Sequence, residues 1–181
     1  MIHVRLKSSI LQRCRVKDSR FETVAQRLSG FRFVCGFTQV GRALTELSVY
    51  TDGASRGNPG PSAISYAIYD FTGQLIEKGA KCIGKRTNSE AEYEALLWAT
   101  EKVRERTCDH LKLFSDSEFM VKQINGEYKA SNERMKKYLA MTLANKKLFT
   151  TFKVRHVPRD NPRIQLVDQL ANDALDREHP R

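Results

Sequence analysis

The chain has 181 residues, room for one ordinary domain with an appendage, which excludes a large multidomain assembly and makes disulfide staples unnecessary. Its 31 Lys and Arg against 21 Asp and Glu leave a formal charge of +10, a balance that suits an anionic partner. Four cysteines, at 14, 35, 82 and 108, lack the close paired spacing of a structural zinc site and are too few for a disulfide framework. They read as reduced thiols of an intracellular, cytoplasmic protein. No apolar run approaches the length of a membrane span, so no membrane association is expected. The Arg-rich start loosely resembles an organelle presequence, with Asp18 and Glu22 weighing against that reading.

Residues 1–46 carry nine Lys and Arg against three Asp and Glu, the more basic part of the chain, and read as an appendage of unknown structure. Regular patterning begins at Leu47, giving a domain over 47–181. LSVYTDG is an apolar, β-branched strand closed by glycine, and ASRGNPGPS is a turn cluster. AISYAIYD and LIEKGAKCIG form a hairpin about the turn FTGQ. Thr87 to about Arg106 is a helix with capping residues before a glutamate-rich first turn. LKLFS is a short strand running into the helix DSEFMVKQINGEY, which ends at Gly126, and a basic helix follows from Asn132 to Phe149. TFKVRHV is the last strand, Pro158 and Pro162 bracket a loop, and VDQLANDALD is the last helix. Three consecutive strands, then helices alternating with two more strands, predict an α/β fold with a mixed sheet and helices on its faces.

Projection of the helix after Thr87 at about 100° per residue sets Glu92 among Ala95, Leu96, Ala99 and Val103, with Glu90, Glu94, Glu101 and Glu105 opposite. A buried carboxylate must be protonated, paired or bound to a cation. Asp52 ends one strand and Asp116 ends another, and groups at the carboxyl ends of strands in an open α/β sheet meet in one crevice. Singly, Glu92 could have a structural partner and each aspartate could be a cap or turn residue. Together they are better explained by hard divalent cations, which relieve the mutual repulsion of clustered carboxylates. Magnesium is the natural ion. His156, on the last strand, is expected to be a packed, hydrogen-bonded histidine and is not required as a base.

YTDGASRGNPGPSA, TNSEAEYEAL, FSDSEFMVKQINGEYK and VPRDN with VDQLANDAL together resemble type 1 ribonuclease H over about residues 47–177, and are most similar to the compact archaeal and bacterial group, without an extra basic protrusion. The resemblance implies a ribonuclease H-like five-stranded sheet, three antiparallel strands then two parallel, with helices on both faces. It implies a metal site of Asp52, Glu92, Asp116 and Asp168 holding two Mg2+ ions, with Mn2+ as a substitute. The implied activity is hydrolysis of the RNA strand of RNA–DNA hybrids, leaving 5′-phosphate and 3′-hydroxyl ends. Two metals about 3.5–4 Å apart suit that reaction, and no Ser or Cys nucleophile is needed.

By the same resemblance Gly53, Ala54, Ser55, Asn58 and Asn88 contact substrate, though each asparagine could equally form a turn or cap a helix. Arg159 stands where relatives carry a residue that helps product leave. Asp168 follows Arg159 by nine residues, two more than in the compact relatives, so a longer PRIQL loop is expected to bulge outward before a helix that Asp168 begins. Asp160, Asp173 and Asp176 are its rivals. Lys136, Lys137, Lys146 and Lys147 are either solvated surface or contacts to the DNA backbone. A monomer is expected, with the hybrid as partner and double-stranded RNA as a second candidate duplex. The alternative function is a catalytically impaired module that binds hybrid or double-stranded RNA.

Overall fold

The structure is a computed structural model and describes residues 45–180. Of the expected appendage, residues 1–44 lie outside the described residues, while Thr45 precedes and Glu46 opens the first strand. The chain order is β1 (Glu46–Ser55), β2 (Gly60–Tyr69), β3 (Leu75–Arg86), α1 (Asn88–Arg104), β4 (His110–Ser115), α2 (Glu118–Ile124), α3 (Glu133–Lys146), β5 (Thr151–His156) and α4 (Pro162–Glu178).

The sheet has the order β3-β2-β1-β4-β5. β1, β2 and β3 pair antiparallel, and β4 and β5 add in parallel beside β1, the mixed arrangement expected. Gly73, at φ 85°, allows the tight turn between β2 and β3, where Asp70 accepts from the backbone of Thr72 and Gln74. Among the described residues no helix is long and apolar enough to cross a membrane.

Alternation along β1 and β2 assigns residues to two cores. Val49, Tyr66 and Ile68 pack with Tyr93, Leu96 and Val103 of α1 on one face. Tyr50, Ala67 and Tyr69 pack with Ile164 and Val167 of α4 on the other. Asp52, two residues beyond Tyr50, therefore belongs to the α4 face, whereas Gly53 belongs to the α1 face.

Three expectations need correction. The last helix begins at Pro162, not near Val167, because Asn161 caps it by accepting from the Arg163 backbone N–H at 2.9 Å, and a proline in the first turn gives up no hydrogen bond. PRIQL is therefore helical and does not bulge, and Asp168 sits in the second turn. Glu90 is buried, not outward, because it closes a capping box with Thr87 and receives Arg134. His156 is exposed, because it is the last residue of an edge strand, past the core formed by Phe152 and Val154.

Candidate active site

The parallel register of β1 and β4 runs through Tyr50 opposite Phe114. Continued by two residues, it places Asp52 beside Asp116, just where β4 ends at Ser115. β1 runs on to Ser55 without a parallel neighbour, and this notch is where the carboxylates gather. Glu92 enters it from α1, which lies against β1 so closely that a Cβ on Gly53 would fall 2.4 Å from the Glu92 backbone nitrogen.

One oxygen from each of Asp52, Glu92 and Asp116 lies within 4.8 Å of the other two. Asp52 is 5% exposed and Glu92 3% exposed. Glu92 Oε2 and Asp116 Oδ1 are buried without a hydrogen-bond partner among the described residues. Unpaired buried carboxylate oxygens are costly, and the carboxylates that carry them converge with that of Asp52, so the donor set fits a hard divalent cation. The strain is visible in the protonation equilibria. Burial, then the charges of Asp116 and Asp168, pushes Asp52 up to about 7, and burial with the charges of Asp52 and Asp116 drives Glu92 well above the carboxylate range.

Asp168 lies outside this group of three and is exposed on α4, yet its charge is felt at Asp52. It flanks the buried stripe of Ile164, Val167, Ala171, Ala174 and Leu175. Asp173 and Asp176 are exposed further along α4, and Asp176 pairs with Arg56. Arg159 donates through Nε to Asp116 Oδ2 at 2.6 Å, although its side chain is 85% exposed.

On the open side, Asn58 and Asn88 are exposed neighbours, with Asn58 Oδ1 accepting from the Asn88 backbone N–H at 3.2 Å. Ser55 donates to the Gly57 carbonyl at 2.6 Å and accepts from Ser62 at 2.9 Å, which ties the turn after β1 to β2. Lys136, Lys137, Lys146 and Lys147 are all exposed, and Lys136 pairs with Glu133. Sequence reasoning missed Ser65, a buried hydroxyl opposite Asp52 that bonds α4. Its only signal was one polar residue inside the apolar run AISYAI.

A family model described as reverse transcriptase-like matches residues 50–174. The crystal structure of RNase H1 from the archaeon Halobacterium salinarum is 33% identical with a TM-score of 0.70, covering 73% of this chain and 98% of that one. LC11-RNase H1 in complex with an RNA/DNA hybrid is 32% identical with a TM-score of 0.68, again covering 73% of this chain and 98% of that one. In sequence, ribonuclease HI of Halobacterium salinarum is 37% identical over 129 residues, which is 70% of this chain but 63% of that protein. A bifunctional protein of Mycobacterium tuberculosis is 29% identical over 129 residues, 71% of this chain and 35% of that protein. The match thus spans less than two thirds of these two relatives. Since the shared segment runs from the strand bearing Asp52 into the helix bearing Asp168, the chain belongs to the type 1 ribonuclease H family, within the reverse transcriptase-like group.

Proposed function

We propose that the protein is a divalent-cation-dependent endoribonuclease that hydrolyses the RNA strand of RNA–DNA hybrids, leaving 5′-phosphate and 3′-hydroxyl ends. The observation that carries this reading is the convergence of Asp52, Glu92 and Asp116 with two buried, unpartnered oxygens in the notch at the end of β4. The similarity to a hybrid-bound RNase H1 supports the choice of substrate. In this reading the three acids hold two Mg2+ ions, or Mn2+, with Asp168 as the fourth acid at the open side of the site. Bound ions supply the positive charge that activates a water and offsets charge on the leaving 3′-oxygen.

The remaining roles belong to side chains and backbone. Asp52 and Glu92 lose their protons when cations bind, since the carboxylate is the ligand form. Gly53, Ala54 and Ser55 bring backbone to the RNA strand, and Asn58 and Asn88 present amides to 2′-hydroxyls in a shallow minor groove, a contact that reads helix type rather than sequence. Arg159, exposed and paired with Asp116, is the cation that helps the cleaved 5′-phosphate depart.

A second reading, a duplex-binding module with impaired catalysis, draws on the exposure of Asp168 and its place outside the three-acid group. Incubation of the protein with labelled RNA–DNA hybrid, RNA duplex and DNA duplex, each with Mg2+, with Mn2+ or with EDTA, separates the two. Cleavage of only the RNA in the hybrid, lost in EDTA, is expected of the enzyme. Retarded but uncut hybrid would establish the binding module instead.

A further inference from the structure

We infer that Ser65 is a positioning residue that sets the placement of Asp168 relative to Asp52. The inference rests on the reading of Asp168 as the fourth acid. Ser65 lies directly opposite Asp52 in the antiparallel β1–β2 ladder and is fully buried. It shares the α4 face of the sheet with Ala63, Ala67 and Tyr69. Its hydroxyl donates to the carbonyl of Val167, the residue before Asp168, at 2.7 Å, and the Asp52 carbonyl lies 3.5 Å from the same oxygen. One hydroxyl thus touches the backbone of the strand residue that carries one carboxylate and the helix turn that carries another.

The other contacts that seat this end of α4 are poorly suited to fixing its rotation. Ile164 and Val167 meet Tyr50, Ala67 and Tyr69 through apolar surface, which is non-directional. The Arg163 guanidinium stacks 4.2 Å above Tyr69 and donates at 3.3 Å to the Tyr50 hydroxyl and at 3.4 Å to the Gly73 carbonyl, long contacts at the tip of a flexible side chain and not to the helix backbone. Cys82 donates to the Ala174 carbonyl at 3.4 Å, two turns further on, through a weak sulfur donor. Rotation of a helix by about 20° moves a side-chain tip roughly 2 Å, and a misplacement of about 1 Å is enough to cost a reaction roughly a hundredfold. Among the described residues, the Ser65 hydroxyl is the sheet group that bonds the backbone of the turn bearing Asp168 directly, through a short hydrogen bond buried beside Asp52. A serine in this place also satisfies itself at no cost to the helix, because a carbonyl has two lone pairs and its second acceptor site is free for the hydroxyl.

The test is a double-mutant cycle of Ser65→Ala and Asp168→Asn, read by calorimetric Mn2+ binding to the full chain, by kcat and KM on hybrid, and by thermal melting. Ser65→Ala should weaken Mn2+ binding about fivefold and lower kcat at little change in KM. Ser65→Cys, which fills the same space with a weak donor, should fall between serine and alanine. In the Asp168→Asn background, Ser65→Ala should have no further effect on Mn2+ binding or kcat. An undiminished effect in that background would overturn the inference, as would a loss confined to melting temperature. If Asp168→Asn alone leaves Mn2+ binding unchanged, the reading of Asp168 fails. If Asp168→Asn weakens binding and Ser65→Ala does not, only the positioning role fails.

Discussion

Glu92 reaches Asp52 because Gly53 has no side chain. A Cβ on Gly53 would stand 2.3 Å from the Ala91 carbonyl carbon and 2.4 Å from the Glu92 nitrogen, inside the backbone of α1. The glycine after Asp52 therefore sets the distance between helix and strand across which the two carboxylates meet.

Gly53→Ala must push α1 outward, since backbone cannot turn aside as a side chain does. It should lower the melting temperature by about 5–10 °C and weaken Mn2+ binding about tenfold or more. Thermal melting and calorimetry check both. A variant unchanged in both would show that Glu92 does not depend on this close approach.

Asp52 is pushed up to about 7 by burial and by its acidic neighbours, against 3.8 ordinarily. Between those values the folded, metal-free protein binds more protons than the unfolded chain, so the contribution of Asp52 to stability falls as pH rises through that window. Asp52→Asn removes the charge. Without metal it should melt roughly 5 °C above the wild type at pH 8 and close to it at pH 4.5. Melting below the wild type at pH 8 would mean that Asp52 is structurally paired in the metal-free state.

Asp168→Asn should reduce cleavage of the hybrid about tenfold or more. Asp173→Asn and Asp176→Asn, further along α4, should stay near wild type. The opposite ranking, by initial rates at saturating Mg2+, would move the fourth ligand. Near-normal rates for all three would leave a site of three acids.

Arg159→Ala should lower steady-state turnover about threefold while leaving single-turnover cleavage within about twofold, because Arg159 acts after the bond is cut. Rapid-quench kinetics measure the two separately. An equal fall in both would place Arg159 in the chemical step.

Asp52, Asp116 and Glu92 were legible in the sequence for different reasons. Each aspartate follows an apolar run that reads as a strand, although β1 continues past Asp52 to Ser55, and Glu92 is the carboxylate that shares its angular position with Ala95, Leu96, Ala99 and Val103. The start of α4 was not legible in the same way. Pro162 reads as a loop marker until Asn161 is seen capping the turn that contains it, and this shifts Asp168 from the tip of the helix to its second turn. Glu90 escaped because a capping box turns a first-turn glutamate back onto the chain, which an angular projection ignores. Ser65 escaped because its partner Val167 is remote in sequence, and strand alternation does not say which helix covers a strand.

The most direct test is a cleavage assay on an end-labelled RNA–DNA hybrid, wild type beside Asp52→Asn, in Mg2+ and in EDTA, with analysis of product ends. Wild type in Mg2+ should cut only the RNA and leave 5′-phosphate and 3′-hydroxyl termini, and both EDTA and Asp52→Asn should abolish cutting while hybrid binding persists. Cleavage in EDTA, or by Asp52→Asn at the wild-type rate, would contradict a metal-bearing carboxylate cluster as the catalytic centre.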